Sequence, residues 1–213
     1  MKRWIGFLLL LLVAFMGSGC DRKQGLEALL LPAECAPPCW NLLTPGQTTR
    51  DEALLRLKQM PELIDPKSVF TSTEASHWIG WRFTNSELDG QIEIRDGKVS
   101  TIFIGERVPY RTKYGVRLDR MIELYGEPTD IFYNDTHGDV LATEMFIVNR
   151  KRGICYTSIQ SIDKLIIAPD QIVKWVFFFN LANYPDALPS SFGGRNPEEV
   201  HFPWTGYTEI KLR

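Results

Sequence analysis

In 213 residues the chain has only three histidines and four cysteines, no apolar run of membrane-spanning length and no excess of basic charge. Each shortage removes a class of function. None of His77, His137 and His201 has a second histidine or cysteine at metal-ligand spacing, so a zinc site has no support in the sequence. Gly-rich phosphate loops and a nucleophile elbow are absent as well, and nothing calls for a cofactor. The longest apolar stretch, Ile5 to Met16, has 12 residues, whereas a spanning helix needs about 18 or more. With Lys2 and Arg3 removed as part of a leader, 22 basic residues face 26 acidic ones, a net charge of −4. Nucleic acid is therefore not an expected partner, because phosphate binding needs a concentrated positive field. The one basic run, Arg150-Lys151-Arg152 before Gly153, reads as a solvated hairpin tip rather than a contact for anionic lipid.

What is present begins with an address. Met1-Lys2-Arg3, the short apolar core and Gly17-Ser18-Gly19-Cys20 follow the layout of a secretory signal. The small residues before Cys20 resemble the lipobox of bacterial lipoproteins, in which that cysteine is acylated and becomes the new N-terminus. Residues 1–19 are thus read as a signal peptide and Cys20 as the lipidation site; plain secretion or an uncleaved anchor is the other reading of the same layout. Acyl chains contribute about 0.8 kcal/mol per buried CH₂, so several of them anchor a domain stably. The expected location is outside the cytosol, on a membrane or the cell surface.

Export makes disulfides permissible. Cys35 and Cys39 flank Ala36-Pro37-Pro38, and that spacing reads as a local staple. Thiol oxidoreductases place two residues between their cysteines at a helix start, whereas this chain has three with two prolines. Cys155 lies in the alternating run Ile154 to Ile159 and reads as a buried free thiol.

Residues 20–34 read as a tether with a short helical turn ended by Pro32. From Cys35 the pattern becomes regular. Thr49 and Glu52 stand in capping-box relation, Ala53, Leu54, Leu57 and Met60 form one apolar face, and Pro61 stops the helix. Strand-like segments follow at Ser68 to Ser72, His77 to Thr84, Gln91 to Arg95 and Lys98 to Ile104. Asp96-Gly97 between the last two predicts a tight hairpin. A second amphipathic helix carries Leu118, Met121, Ile122 and Tyr125 and ends at Gly126 and Pro128. Four more strand candidates come after it: Asp130 to Tyr133, Val140 to Asn149, Ile154 to Ser161 and Ile172 to Asn180. One helix and four strands, twice over, has the outline of an internal duplication. The predicted fold is α+β: tandem helix-plus-four-strand units over 35–105 and 106–180, joined in one antiparallel sheet with the helices packed on one face. Residues 181–213, rich in Pro, Gly and aromatics, are expected to pack on that sheet as a tail.

Pro38-Cys39-Trp40, followed by Thr44-Pro45-Gly46-Gln47-Thr48, resembles the opening of a group of uncharacterised bacterial lipoproteins. Pro45-Gly46-Gln47-Thr48 and Leu124-Tyr125-Gly126-Glu127-Pro128 are also similar to pieces of the small outer-membrane assembly lipoproteins. Those share their layout with the beta-lactamase-inhibitor-protein fold, so the resemblance, over residues 38 to 180 by order of elements, implies a continuous antiparallel sheet. It carries over no partner-contacting residue.

The cluster Asp135-Thr136-His137-Gly138-Asp139 gathers carboxylates around an imidazole, yet Asp and Gly at a loop tip are what turn chemistry requires. What remains is aromatic surface. An antiparallel sheet can leave one face open, and Trp78, Arg82 and Trp175 are the candidates for a binding face, unless the aromatics of the tail cover it. The chain therefore reads as an exported, non-enzymatic binding or structural module at the cell envelope, anchored to membrane and open to an envelope protein partner. A secreted hydrolase using Asp135, His137 and Asp139 is the rival, and an accessory subunit of an envelope complex is a third reading.

Overall fold

Residues 25–31, 34–71, 77–106, 114–136, 142–161, 164–183 and 201–211 are described by the computed structural model. Helix α1 (Leu26–Leu30) lies within the stretch read as a tether, and Leu26, Leu29 and Leu30 are all buried in the main core. Its first amide donates to the Tyr114 carbonyl at 2.8 Å. Five residues make too little helix to stand alone, so tertiary burial holds this turn. Cys35 and Cys39 are disulfide-bonded, with a Cα separation of 5.7 Å. Helix α2 (Arg50–Lys58) starts on the expected capping box: the Thr49 hydroxyl accepts from the Glu52 amide, and the Glu52 carboxylate accepts from the Thr49 amide. Ala53 and Leu57 are its buried residues.

The strands β1 (Phe70–Thr71), β2 (Trp78–Arg82), β3 (Leu88–Arg95) and β4 (Lys98–Glu106) form an antiparallel meander. The β3–β4 turn has Asp96 at φ 51° and Gly97 at φ 73°, the left-handed pair that a tight hairpin requires. After β5 (Val116–Arg117), helix α3 (Leu118–Tyr125) buries Leu118, Met121 and Tyr125. Gly126, at φ 82°, closes it with an amide that donates to Ile122. The strands β6 (Asp130–Thr136), β7 (Ala142–Asn149) and β8 (Ile154–Ser161) then run as a second meander. β9 (Lys164–Ile167) follows.

The predicted strand over 172–180 is split in two. β10 (Ile172–Val173) leaves the sheet to pair with β5, and β11 (Trp175–Phe179) stays in it. Lys174 between them is buried beside Glu106 at the end of β4, and its amide donates to Thr157 at 2.9 Å. Burial raises the Glu106 pKa and lowers that of Lys174, while their mutual attraction opposes both shifts.

Within the tail, β12 (His201–Pro203) pairs with β6, and β13 (Thr208–Lys211) pairs with β9. Residues 184–200 lie outside the described residues. The result is a sheet-dominant α+β protein, with three helices and one nine-stranded antiparallel sheet ordered β1-β2-β3-β4-β11-β8-β7-β6-β12 among the described residues. The sheet thus takes in a ninth strand, and its middle is the β4–β11 pairing.

Cross-strand register runs one apolar row through the sheet: Trp81, Gly90, Ile104, Val176, Tyr156 and Ile147. Trp40 stacks on Trp81 with ring centroids 5.7 Å apart and donates its indole N–H to Leu29 at 3.0 Å, which ties α1 to the sheet. Tyr125 meets the rings of Tyr156 and Phe178.

Trp40→Ala is expected to cost about 3 to 5 kcal/mol in urea denaturation, because it empties a buried site and frees α1. Reducing Cys35–Cys39 should cost about 2 kcal/mol at most, the chain entropy of so short a loop, and the same measurement made with and without reductant reads it.

Candidate functional site

Side chains alternate along strands, so the register also fixes the second face of the sheet. One of its rows reads Arg82, Asp89, Gly105, Trp175, Thr157, Phe146, Phe132 and His201 from β2 to β12. The next reads Phe70, Gly80, Gln91, Phe103, Phe177, Cys155 and Val148. Trp78, Arg82 and Trp175 therefore stand on one face. Trp78 is 42% exposed and Phe70 61%. Trp175 is half-buried, with its indole N–H donated to the Glu106 carbonyl at 3.0 Å.

This face has two halves of different character. Over the second half, Phe132, Phe146, Val148, Cys155 and Phe179 make a buried apolar cluster of their own. Over the first half the residues facing outward include Phe70, Trp78, Arg82, Asp89, Gln91, Glu93 and Phe103, all exposed or half-buried. Phe103 joins the halves, lying 5.0 Å from Phe177 and 6.3 Å from Trp175 between ring centroids.

Glycines make the close aromatic packing possible. A Cβ at Gly80 would run into the ring of Phe70, one at Gly90 into Trp81, and one at Gly105 into Trp175. In each case an aromatic ring from the neighbouring strand lies over a strand glycine and covers backbone that has no side chain of its own.

Charges on this face are mostly committed locally. Glu93 is paired with Arg95 at 3.0 Å and accepts from the Ser100 hydroxyl at 3.0 Å. Glu144 differs: it is largely buried beside the second-half cluster, and burial pushes its pKa up to about 7. Burial, and after it the nearby Glu144 carboxylate, push the Cys155 thiol up well above its ordinary range, so this buried free cysteine is no nucleophile.

Two further arrangements were not foreseen from the sequence. His201 Nε2 lies 2.7 Å from the Asp130 carboxylate, which also holds Arg150 at 2.6 Å and is almost fully buried, and the imidazole stacks on Phe132 at 4.8 Å. The 71 residues separating His201 from Asp130 hide this pair from any reading of spacing. The second is a shallow groove of about 450 Å³ beside the disulfide, lined by Leu42, Thr44, Gln47, Thr48, Glu52 and Arg56. Leu42 stands at its lip, 47% exposed and at φ 64°.

The chain matches no protein-family model, no curated protein and no solved structure. Its function must be argued from its own residues. Cys20, His137 and Asp139 lie outside the described residues, as does the side chain of Asp135. Among the described residues no group of three or more His, Cys, Asp or Glu side chains is placed to hold a metal ion.

Glu144 generates a pH dependence. Its carboxyl keeps a proton to about pH 7 in the fold and only to about 4.5 when exposed, so between those values the folded state binds the extra proton. Stability therefore falls as pH rises through that window, by about 3 kcal/mol for a shift of this size, and is level above it. Glu144→Gln should remove that slope when urea midpoints are compared with wild type at pH 5 and about pH 8.

Proposed function

We propose that this protein is an exported, lipid-anchored binding module of the cell envelope that performs no reaction of its own. In this reading it consists of two helix-plus-four-strand units whose helices form a layer on one side of the shared sheet, in the manner of the beta-lactamase-inhibitor-protein fold. The open half of the other face receives the partner. Exposure of Trp78 and Arg82 on a sheet whose reverse side is core carries the proposal, since an exposed tryptophan among polar neighbours is the composition of an interface rather than of idle surface. The Cys35–Cys39 bond agrees with an oxidising compartment.

Anchoring acquires a geometric consequence from the burial of α1. Leu26 belongs to the core and stands six links of chain from Cys20, so a lipid on Cys20 holds the folded domain within about 20 Å of the bilayer even with the chain fully extended. Such a module works at the membrane surface and does not reach across the envelope.

The test is the mass of the mature chain from membranes. Acylated Cys20 at the N-terminus is the expected result, and an unmodified N-terminus at another residue would remove the anchor. Among acylated molecules, a fluorophore on an exposed residue should transfer energy to acceptor lipids at short range. Insertion of a flexible linker of about 20 residues before Gly25 should weaken that transfer.

A further inference from the structure

We propose that the turn Trp40-Asn41-Leu42-Leu43 and the outer side of α2 form an apolar foot that seats the domain on the lipid surface, an inference that rests on the lipid-anchored reading above. Trp40 and Leu43 exchange both backbone hydrogen bonds, at 2.9 and 2.8 Å, around Asn41 at φ 45° and Leu42 at φ 64°. A two-residue turn of this hand favours Asn followed by Gly. Leucine in the second place is strained, because its Cβ crowds the following carbonyl. Trp40 and Leu43 are buried while Leu42 is exposed, so packing within the chain does not account for the leucine. The Leu42 amide donates to Cys35 Sγ at 3.4 Å, which ties the tip to the disulfide.

Exposed leucines scattered singly are ordinary on a protein surface. These are gathered. Arg56 on α2 donates to the Asn41 carbonyl at 3.4 Å and pairs with Glu34 at 3.2 Å, and each partner brings an exposed leucine: Leu42 beside Asn41, and Leu31 three residues before Glu34. Leu55, 59% exposed, precedes Arg56 itself and lies one turn on from Glu52, which lines the same groove as Leu42. Around them, Arg50, Arg56 and Lys58 balance Glu34, Asp51 and Glu52. An apolar patch without net charge suits the boundary between headgroups and acyl chains of a zwitterionic lipid.

The position of the patch selects lipid as its occupant. Trp40 donates its indole N–H to Leu29 of α1 at 3.0 Å, and α1 begins six links of chain from Cys20, so the turn rests on the helix nearest the anchor. Leu42 stands two residues beyond Trp40, at most about 7 Å of chain. Trp40 also stacks on Trp81, whereas Trp78 and Arg82 alternate to the other side of β2. A domain seated on Leu31, Leu42 and Leu55 therefore turns its open sheet face away from the bilayer.

The test uses the full mature chain with Cys20→Ser, which cannot be acylated, and vesicles of phosphatidylcholine. Co-sedimentation should show weak binding that rises with lipid and that added salt leaves unchanged. Leu42→Gly and Leu55→Ser should each lower the partition coefficient about fivefold, the effect of withdrawing a half-exposed leucine from an apolar phase. Leu42→Gly relieves the turn, so its urea midpoint should equal or exceed that of the parent chain, and lost binding is then not lost fold. On the acylated chain, a fluorophore at Gln47→Cys, beside Leu42 in the groove, should be quenched by nitroxide lipid more strongly than one at Arg82→Cys. Binding that salt abolishes or that Leu42→Gly leaves intact would overturn the foot, as would equal quenching at the two labels. Absence of binding would overturn it too, and a dimer that Leu42→Gly dissolves would then give the patch to a second copy. The mass of the mature chain judges the anchor separately: an unacylated chain that still binds vesicles through Leu42 keeps the foot and loses only the anchor.

Discussion

The pairing of β4 with β11 is the interaction on which the rest of the structure depends. The strands β1 to β4 and β6 to β8 are meanders that a chain makes locally, and each alone would expose a full apolar face to water. The seam sets Ile104 opposite Val176 and Ile102 opposite Phe178, all fully or nearly fully buried, and so makes two small sheets into one. Each such side chain contributes about 1.5 to 3 kcal/mol when it leaves water. Glu106 and Lys174 lie at one end of the seam as buried opposite charges, with the Glu106 carboxylate also accepting from the Tyr114 amide at 3.0 Å. A buried pair of this kind adds little net stability, but losing one partner strands the other, so it punishes a slipped register.

A second consequence of the seam is the asymmetry of the other face. The strands β7, β8 and β11 are apolar on both sides, whereas β3 alternates strictly between buried and half-buried residues. The difference is what separates a strand within a double-sided core from one that faces water. Trp175 stands at the boundary, its ring lying over Gly105 and its N–H tied to β4. Held in this way, the ring marks where the covered half of the face ends and the open half begins.

Local signals in the sequence were legible, and long-range ones were not. Asp96-Gly97, the Thr49 and Glu52 box and the Gly126 stop each act within a few residues, and the structure places each where its chemistry predicts. Periodicity put Trp78 and Arg82 on one face of β2, and the register then brought Trp175 to the same side three strands away. The break at Lys174 was hidden, because the residues that meet it there, Glu106 and Thr157, come from other strands. β12 and β13 were hidden for the same reason: three or four residues beside Pro and Gly make a strand only when β6 and β9 supply the partners. The helix α1 exists because Trp40, Tyr114 and Tyr125 receive it, and none of those contacts can be read from Leu-Glu-Ala-Leu-Leu.

At both ends of the nine-stranded sheet the last strand is brief. β1 has two residues, and β12 has three, of which Pro203 has no amide hydrogen to donate. A wide sheet with long free borders would invite other chains to add themselves strand by strand, and curtailed borders deny them a template. Trimmed at both borders, the sheet keeps its assembly within one polypeptide.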